Sequence, residues 1–234
     1  MKTTNLVDYF ERIGYDWNKD LKLLSAICML TKTRVDKNKK SGQMSYGSEQ
    51  CFLVKSVANH IGASSFFEIG TGRGTACYSV ALEKTVDEIV TVDIISHYER
   101  REEAIAYMPA QVSNHDLYQL VEGKEKEKIS FKHRSEIPFI IQEHEENFDL
   151  AFIDGDHTST RIIREDFEIC DRLVRDGGVI LFDDYHPSKF AVKKIVDDVL
   201  ANNPSYEAEL ICFHGHLFDK DRQAEDNGIV IVRK

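Results

Sequence analysis

Three groups of residues in this 234-residue chain have the types and spacing to do chemistry. Asp154-Gly-Asp156-His157 closes the apolar run Leu150 to Ile153. Asp183-Asp184 directly follows Val179-Ile-Leu-Phe182. Glu68-Ile-Gly-Thr-Gly-Arg-Gly74 follows Phe66, and Asp93 ends Ile89-Val-Thr-Val92. Carboxylate oxygens suit hard divalent cations and hydroxyl donors. A histidine titrates near pH ~6.5 and can move protons under neutral conditions. Glycines let the backbone turn sharply and approach a ligand closely.

The elements that must position these groups follow from the periodicity. Leu6, Phe10 and Ile13 have helical spacing, and Leu21 to Leu30 is a second helical segment. Gln50 to Ile61 forms a helix with Val54, Val57, Ala58 and Ile61 on one face, ended by Gly62. Short apolar strands are expected at 66–69, 89–92, 129–131, 148–153 and 179–182. Helices are expected at 75–82, at 161–174 ended by Gly177-Gly178, and around Val192 to Leu200. The last two strands, Leu210 to Phe213 and Ile229 to Val232, have no helix between them and read as an antiparallel edge hairpin. Strands alternating with helices indicate an α/β fold around a mostly parallel sheet. In such a sheet ligands bind beyond the carboxyl ends of the strands, where all three groups fall.

Composition excludes several function classes. The formal charge of -10 argues against a general nucleic-acid binder. The cationic run Lys32 to Lys40 reads first as a solvated loop and second as a lid or anion-binding segment. The 5 cysteines lie far apart without metal-finger spacing and read as free thiols. The first residues carry no apolar core of signal-peptide length, and no stretch approaches the ~20 apolar residues of a spanning helix. The expected location is cytoplasmic, away from the membrane.

Gly70, Gly72 and Gly74 give G-x-G-x-G, with Thr75 where the third glycine of the dinucleotide fingerprint would fall. Glu68 would repel a diphosphate but suits an amino-bearing ligand. This pattern resembles the first motif of class I S-adenosylmethionine-dependent methyltransferases, with Asp93 matching the acid that accepts the ribose hydroxyls. Asp154 with Asp183 and Asp184 resembles the metal triad of the metal-dependent O-methyltransferases, the catechol and caffeoyl-CoA type and their sugar-methylating relatives. His157 stands where that family places its base, lysine in the catechol branch and histidine in the sugar branch.

The resemblance runs from about Met44 to Leu200 and implies a Rossmann-like fold. Its expected form is a mostly parallel seven-stranded sheet with an antiparallel C-terminal hairpin. Residues 1–45 are expected to form a helical cap, and 46–234 the methyltransferase domain. The implied cofactor contacts are Met44, Ser45, Glu68, Gly70, Thr71, Gly72, Gly74, Thr75, Asp93, Ile94, Ser135 and Asp154. The implied metal ligands are Asp154, Asp183 and Asp184, for a divalent cation such as Mg²⁺. His157 and Asp154 are the implied catalytic pair, while Asp156 reads as a structural cap for the next helix. Tyr185 and His186 are candidate acceptor contacts.

The implied activity is O-methylation of a small-molecule hydroxyl, on a sugar or sugar-bearing metabolite first and a catechol-like phenol second. A non-catalytic cofactor-binding module and a dinucleotide oxidoreductase are the alternatives, and a homodimer is an open expectation. Asn203-Pro-Ser-Tyr206 resembles the motif of nitrogen-methylating enzymes, but it lies far from the end of the fourth strand, where that motif belongs.

Overall fold

The structure is a computed structural model, and it describes residues 1–31, 48–103, 110–212, 217–218 and 227–234. In chain order the elements are β1 (Lys2–Asn5), α1 (Leu6–Ile13), α2 (Trp17–Thr31), α3 (Glu49–Ile61), β2 (Ser65–Ile69), α4 (Thr75–Ala81) and β3 (Glu88–Asp93). They continue with α5 (Asn114–Leu120), β4 (Ile129–His133), α6 (Ile137–His144), β5 (Phe148–Ile153), α7 (Thr160–Leu173), β6 (Val174–Tyr185), α8 (Val192–Asn202), β7 (Glu207–Cys212) and β8 (Gly228–Arg233).

Local chemistry sets the helix ends. Asn5 caps α1 by accepting from the Asp8 amide at 2.9 Å, and Gly14 ends that helix in the left-handed region. Gly62 ends α3 in the same way, at φ +63°.

The strands form one 8-stranded sheet in the order β1-β7-β8-β6-β5-β2-β3-β4. Among these strands β8 alone runs against the others. β2 and β5 are buried along their whole length, as expected for central parallel strands covered on both faces. Phe66, Ile89, Leu150, Phe152 and Leu181 face the layer of α1 to α4. Their alternates Phe67, Val90, Ala151, Ile180 and Phe182 face α6 to α8. The period-two alternation of strand side chains thus builds two cores, one on each side of the sheet.

Three expectations need correction. Among the described residues the sheet has eight strands, not seven, because the polar segment Lys2–Asn5 pairs in parallel with β7. The C-terminal hairpin is therefore not the edge: β1 covers it, and Arg12 clamps Glu209 of β7 through two hydrogen bonds of 2.8 and 2.6 Å. Third, Gly177-Gly178 does not end the helix. α7 stops at Leu173, and the glycine pair lies inside β6, where the register against β5 shifts between Phe148 and Leu150. A Cβ on Gly178 would lie 2.5 Å from Val174, so the irregular stretch needs glycine there.

α1 and α2 pack into the same core as the central strands. A buried charge network ties them down. Lys55 of α3 reaches Asp20 of α2 at 2.8 Å and Glu83 beyond α4 at 2.7 Å. Tyr15 donates to Asp20 and Asn59 to Glu83. The five cysteines are buried thiols that form no disulfide. No helix among the described residues is long and apolar enough to cross a membrane.

Candidate functional site

Parallel pairing puts the carboxyl ends of β2, β3, β5 and β6 on one rim. The order reverses at the β5-β2 pair, since the chain runs from β2 to β4 on one side and returns to β5 on the other. That switch point is where open α/β sheets bind ligands. Ile69 lies opposite Ile153, and Ile153 opposite Phe182. The residues that follow, Gly70, Asp154 and Asp183, are therefore neighbours.

The glycine turn is shaped by its neighbours. The Gly70 amide donates to Val92 O at 2.8 Å. Gly70 has φ +97°, and a Cβ there would sit 2.0 Å from the Asp154 carbonyl oxygen. Gly74, at φ +82°, would meet the Tyr78 ring at 2.4 Å. Around Gly72 nothing lies within 4 Å, so the open side of the loop is there.

Glu68 is buried beneath the turn and accepts from Thr91 Oγ1 at 2.5 Å. Burial, aided by nearby Asp93, pushes its carboxyl up to about 8. Asp93 accepts from the Gly72 amide and the Ile95 amide, each at 2.9 Å. Burial nevertheless keeps its carboxyl above the usual range.

The hydroxyls of Thr71 and Thr75 turn to protein partners, Thr91 at 2.6 Å and Thr31 at 2.8 Å. Ile94 and Ser135 are exposed at the same rim, and Ser135 Oγ lies 2.8 Å from His133 Nδ1. Met44 and Ser45 lie outside the described residues, as does the cationic run Lys32 to Lys40.

The acidic groups converge. Asp154, Asp183 and Asp184 each offer a carboxylate oxygen, and the three lie within 4.8 Å of one another. Burial, followed by the Asp183 and Asp184 charges, pushes the Asp154 carboxyl well above its ordinary value. Side chains of consecutive strand residues alternate faces, so Asp183 and Asp184 would ordinarily diverge. Asp184 adopts φ +55°, and the pairing of β6 with β8 shifts between Phe182 and Tyr185. That bulge brings both carboxylates to one place.

His157 Nδ1 lies 3.3 Å from Asp184 Oδ2, and its ring meets Phe190 edge-on at 4.6 Å. Ile153, Ile163, Phe182 and Val192 form the apolar wall of the cleft that holds His157 and the three aspartates.

Other residues behave differently from expectation. Asp156 organises a turn, accepting from the amides of Thr158 and Ser159, but Ser159 is the residue that caps α7. Tyr185 is buried in the core that α8 helps to form. His186 Nδ1 accepts from the amides of Ser188 and Lys189.

Two functional candidates carried no usable sequence signal. Gln50 of α3 places Nε2 3.0 Å from Asp154 Oδ2 and 2.6 Å from Asp183 Oδ2. Arg134 pairs at 2.5 Å with Asp166, which is fully buried beside Gly155. Both contacts join segments remote in the chain.

The sheet order, glycine turn and acidic strand ends define the fold of the class I S-adenosylmethionine-dependent methyltransferases. A family model described as a methyltransferase domain matches residues 67–185, half of the chain, and the chain belongs to that family. Solved structures agree on the fold. The O-methyltransferase TomG of Streptomyces achromogenes, solved with SAM and involved in tomaymycin synthesis, aligns with TM-score 0.58 and 18% identity over 92% of this chain and 95% of that one. An O-methyltransferase from Bacillus cereus, solved with SAH, aligns with TM-score 0.55 and 18% identity over 92% and 89%. An uncharacterized protein, R132, of Acanthamoeba polyphaga mimivirus is 28% identical over 155 residues, 63% of this chain and 66% of the viral protein. This chain therefore spans just under two thirds of that relative.

Proposed function

We propose that the protein transfers a methyl group from S-adenosylmethionine to a hydroxyl oxygen of a small molecule, with a divalent cation at the acidic cluster. The observation that carries this reading is the convergence of Asp154, Asp183, Asp184 and His157 beside the glycine turn. Three carboxylate oxygens form a hard donor set, which suits Mg²⁺, Mn²⁺ or Ca²⁺ rather than zinc. The open side of the loop at Gly72, with Asp93 beside it and Glu68 beneath the turn, suits a ligand that carries an ammonium and a ribose.

When bound, the sulfonium supplies an electrophilic methyl group and the cation a Lewis acid for the acceptor oxygen. The chain does the rest. Asp93 holds the ribose hydroxyls, and Glu68 stands below the turn for the amino end. Asp184 lies against His157 Nδ1, which leaves Nε2 to take the hydroxyl proton. Ile153 and Phe182 give the cleft an apolar wall beside the acidic cluster.

A histidine base favours a sugar or sugar-bearing acceptor over a catechol. The test is a screen of hydroxylated acceptors with labelled S-adenosylmethionine, run with Mg²⁺ and with chelator. Activity that chelator abolishes and Mg²⁺ restores is expected. Activity indifferent to chelator would remove the cation from the reading. Tight binding of NAD in place of S-adenosylmethionine would remove the methyl transfer.

A further inference from the structure

Gln50 stands in the first turn of α3, and that turn is firmly held: Ser48, Glu49 and Cys51 are buried, and Cys51 donates to Ser48 O at 2.9 Å. From this rigid base the side chain spans to β5 and β6. Its Nε2 lies 2.6 Å from Asp183 Oδ2 and 3.0 Å from Asp154 Oδ2. Nε2 is the atom within hydrogen-bond distance of both oxygens, so the amide presents its N–H donors here, not its oxygen.

A hard divalent ion bound by those carboxylates needs its oxygens at about 2.0–2.6 Å. An ion held by the same two oxygens would take up the lone pairs that the amide nitrogen now engages, so the two compete for them.

We propose that the Gln50 amide is a placeholder for the cation: it competes with the ion for Asp154 and Asp183 and so sets how weakly the site holds divalent metal. This rests on the cation reading above. When no ion is there, the amide satisfies an oxygen on each of these two crowded carboxyls through two hydrogen bonds. Ion uptake must break both, and the ion then supplies the neutralisation. Gln50 thus stabilises the ion-free form and contributes nothing to the ion-loaded one. Had the amide been a ligand, with its oxygen turned to the ion, it would stabilise the loaded form instead.

The test is calorimetric titration of the full chain with Mn²⁺ alone, in wild type, Gln50→Ala, Gln50→Glu and Asp183→Asn. Gln50→Ala is expected to bind Mn²⁺ roughly tenfold more tightly than wild type, equivalent to about 1.4 kcal/mol. Gln50→Glu, which replaces the donors with a further carboxylate, is expected to bind more tightly still. In chelator both variants are expected to melt below wild type, and saturating Mn²⁺ is expected to close the gap. A merely structural glutamine would lower the melting temperature equally in both conditions, and that result would overturn the inference. So would Gln50→Ala binding Mn²⁺ equally or more weakly while Asp183→Asn binds none, which leaves the cation reading intact. If wild type and Asp183→Asn bind Mn²⁺ alike, or neither binds, the cation reading itself has failed and the placeholder goes with it.

Discussion

Gly70→Ala and Gly72→Ala should have very different consequences, although only Thr71 separates them in one loop. At Gly70 a methyl group would stand 2.0 Å from the Asp154 carbonyl oxygen and 2.4 Å from its carbon. Those are backbone atoms, and they cannot swing aside. The Asp154 amide donates to Ile69 O at 2.8 Å, and Ile69 pairs with Ile153, so the two strand ends are fastened together. The residue also sits at φ +97°, which alanine disfavours. Backbone strain of roughly 1–3 kcal/mol and overpacking of roughly 1–3 kcal/mol act together, so Gly70→Ala should cost about 2–6 kcal/mol. At Gly72 no atom lies within 4 Å, and only φ +51° opposes the change, which should cost about 1–2 kcal/mol. Urea denaturation of both variants measures the difference. Calorimetry with S-adenosylmethionine should show binding lost in Gly70→Ala, because strand ends forced apart displace Asp154 from the glycine turn. Equal stabilities, or a Gly70→Ala protein within 1 kcal/mol of wild type, would refute the close approach of β2 and β5 on which the site geometry depends.

Lys55→Met should destabilise by about 3–5 kcal/mol in urea denaturation, because it strands Glu83 and Asp20 without their cation in a buried place. Burial raises the Asp149 carboxyl, but hydrogen bonds from Ser64, Ser65 and Arg175 outweigh it and hold the group at about 2. A depressed folded value means the stabilisation is complete above the unfolded value near 3.8 and is lost as pH falls through about 2. Asp149→Asn should therefore cost about 2 kcal/mol at pH 7 and flatten the stability profile between pH ~4 and ~2. Glu68 has the opposite sign: its folded value near 8 stabilises the fold below its ordinary value of 4.5, and the benefit fades as pH rises to 8. Glu68→Gln should remove that decline, measured as melting temperature from pH 5 to 9, and a variant profile parallel to wild type would refute it. His157→Ala should lower methyl transfer by roughly a hundredfold or more while leaving cofactor affinity unchanged, if Nε2 takes the proton.

The central strands could be read from the sequence because burial on both faces makes them near-continuous apolar runs, as in Leu150 to Ile153 and Val179 to Phe182. Their adjacency followed from the alternation of strand and helix, and the order β6-β5-β2-β3 agrees with it. β1 was invisible because Lys2-Thr-Thr-Asn5 is polar, and its pairing with β7 depends on a partner more than 200 residues away. Gly177-Gly178 misled because a glycine pair after a helical pattern is the usual stop signal, whereas here it accommodates an irregular stretch of strand. The contacts of Gln50 could not be read from the sequence, since its partners lie 104 and 133 residues further on.

Asp183-Asp184 shows most clearly what a sequence pattern leaves out. Adjacent acids at the end of a strand look like a pair, yet a regular strand would aim one at each face of the sheet. Only one could then join Asp154. The pair becomes a site because Asp184 takes a left-handed conformation, which aspartate tolerates better than most residues. The same turn brings Asp184 Oδ2 to His157 Nδ1, so one backbone irregularity serves both the acidic cluster and the histidine. Asp184→Asn should preserve this conformation, since asparagine also favours it, while removing one charge. Asp184→Val should lose the conformation as well, because a β-branched residue resists positive φ. Comparing the two separates the contribution of the charge from that of the turn. If both variants lose Mn²⁺ affinity equally and unfold at the same temperature, the turn contributes nothing beyond the carboxylate it carries. If Asp184→Val is the less stable, the bulge is what gathers the site.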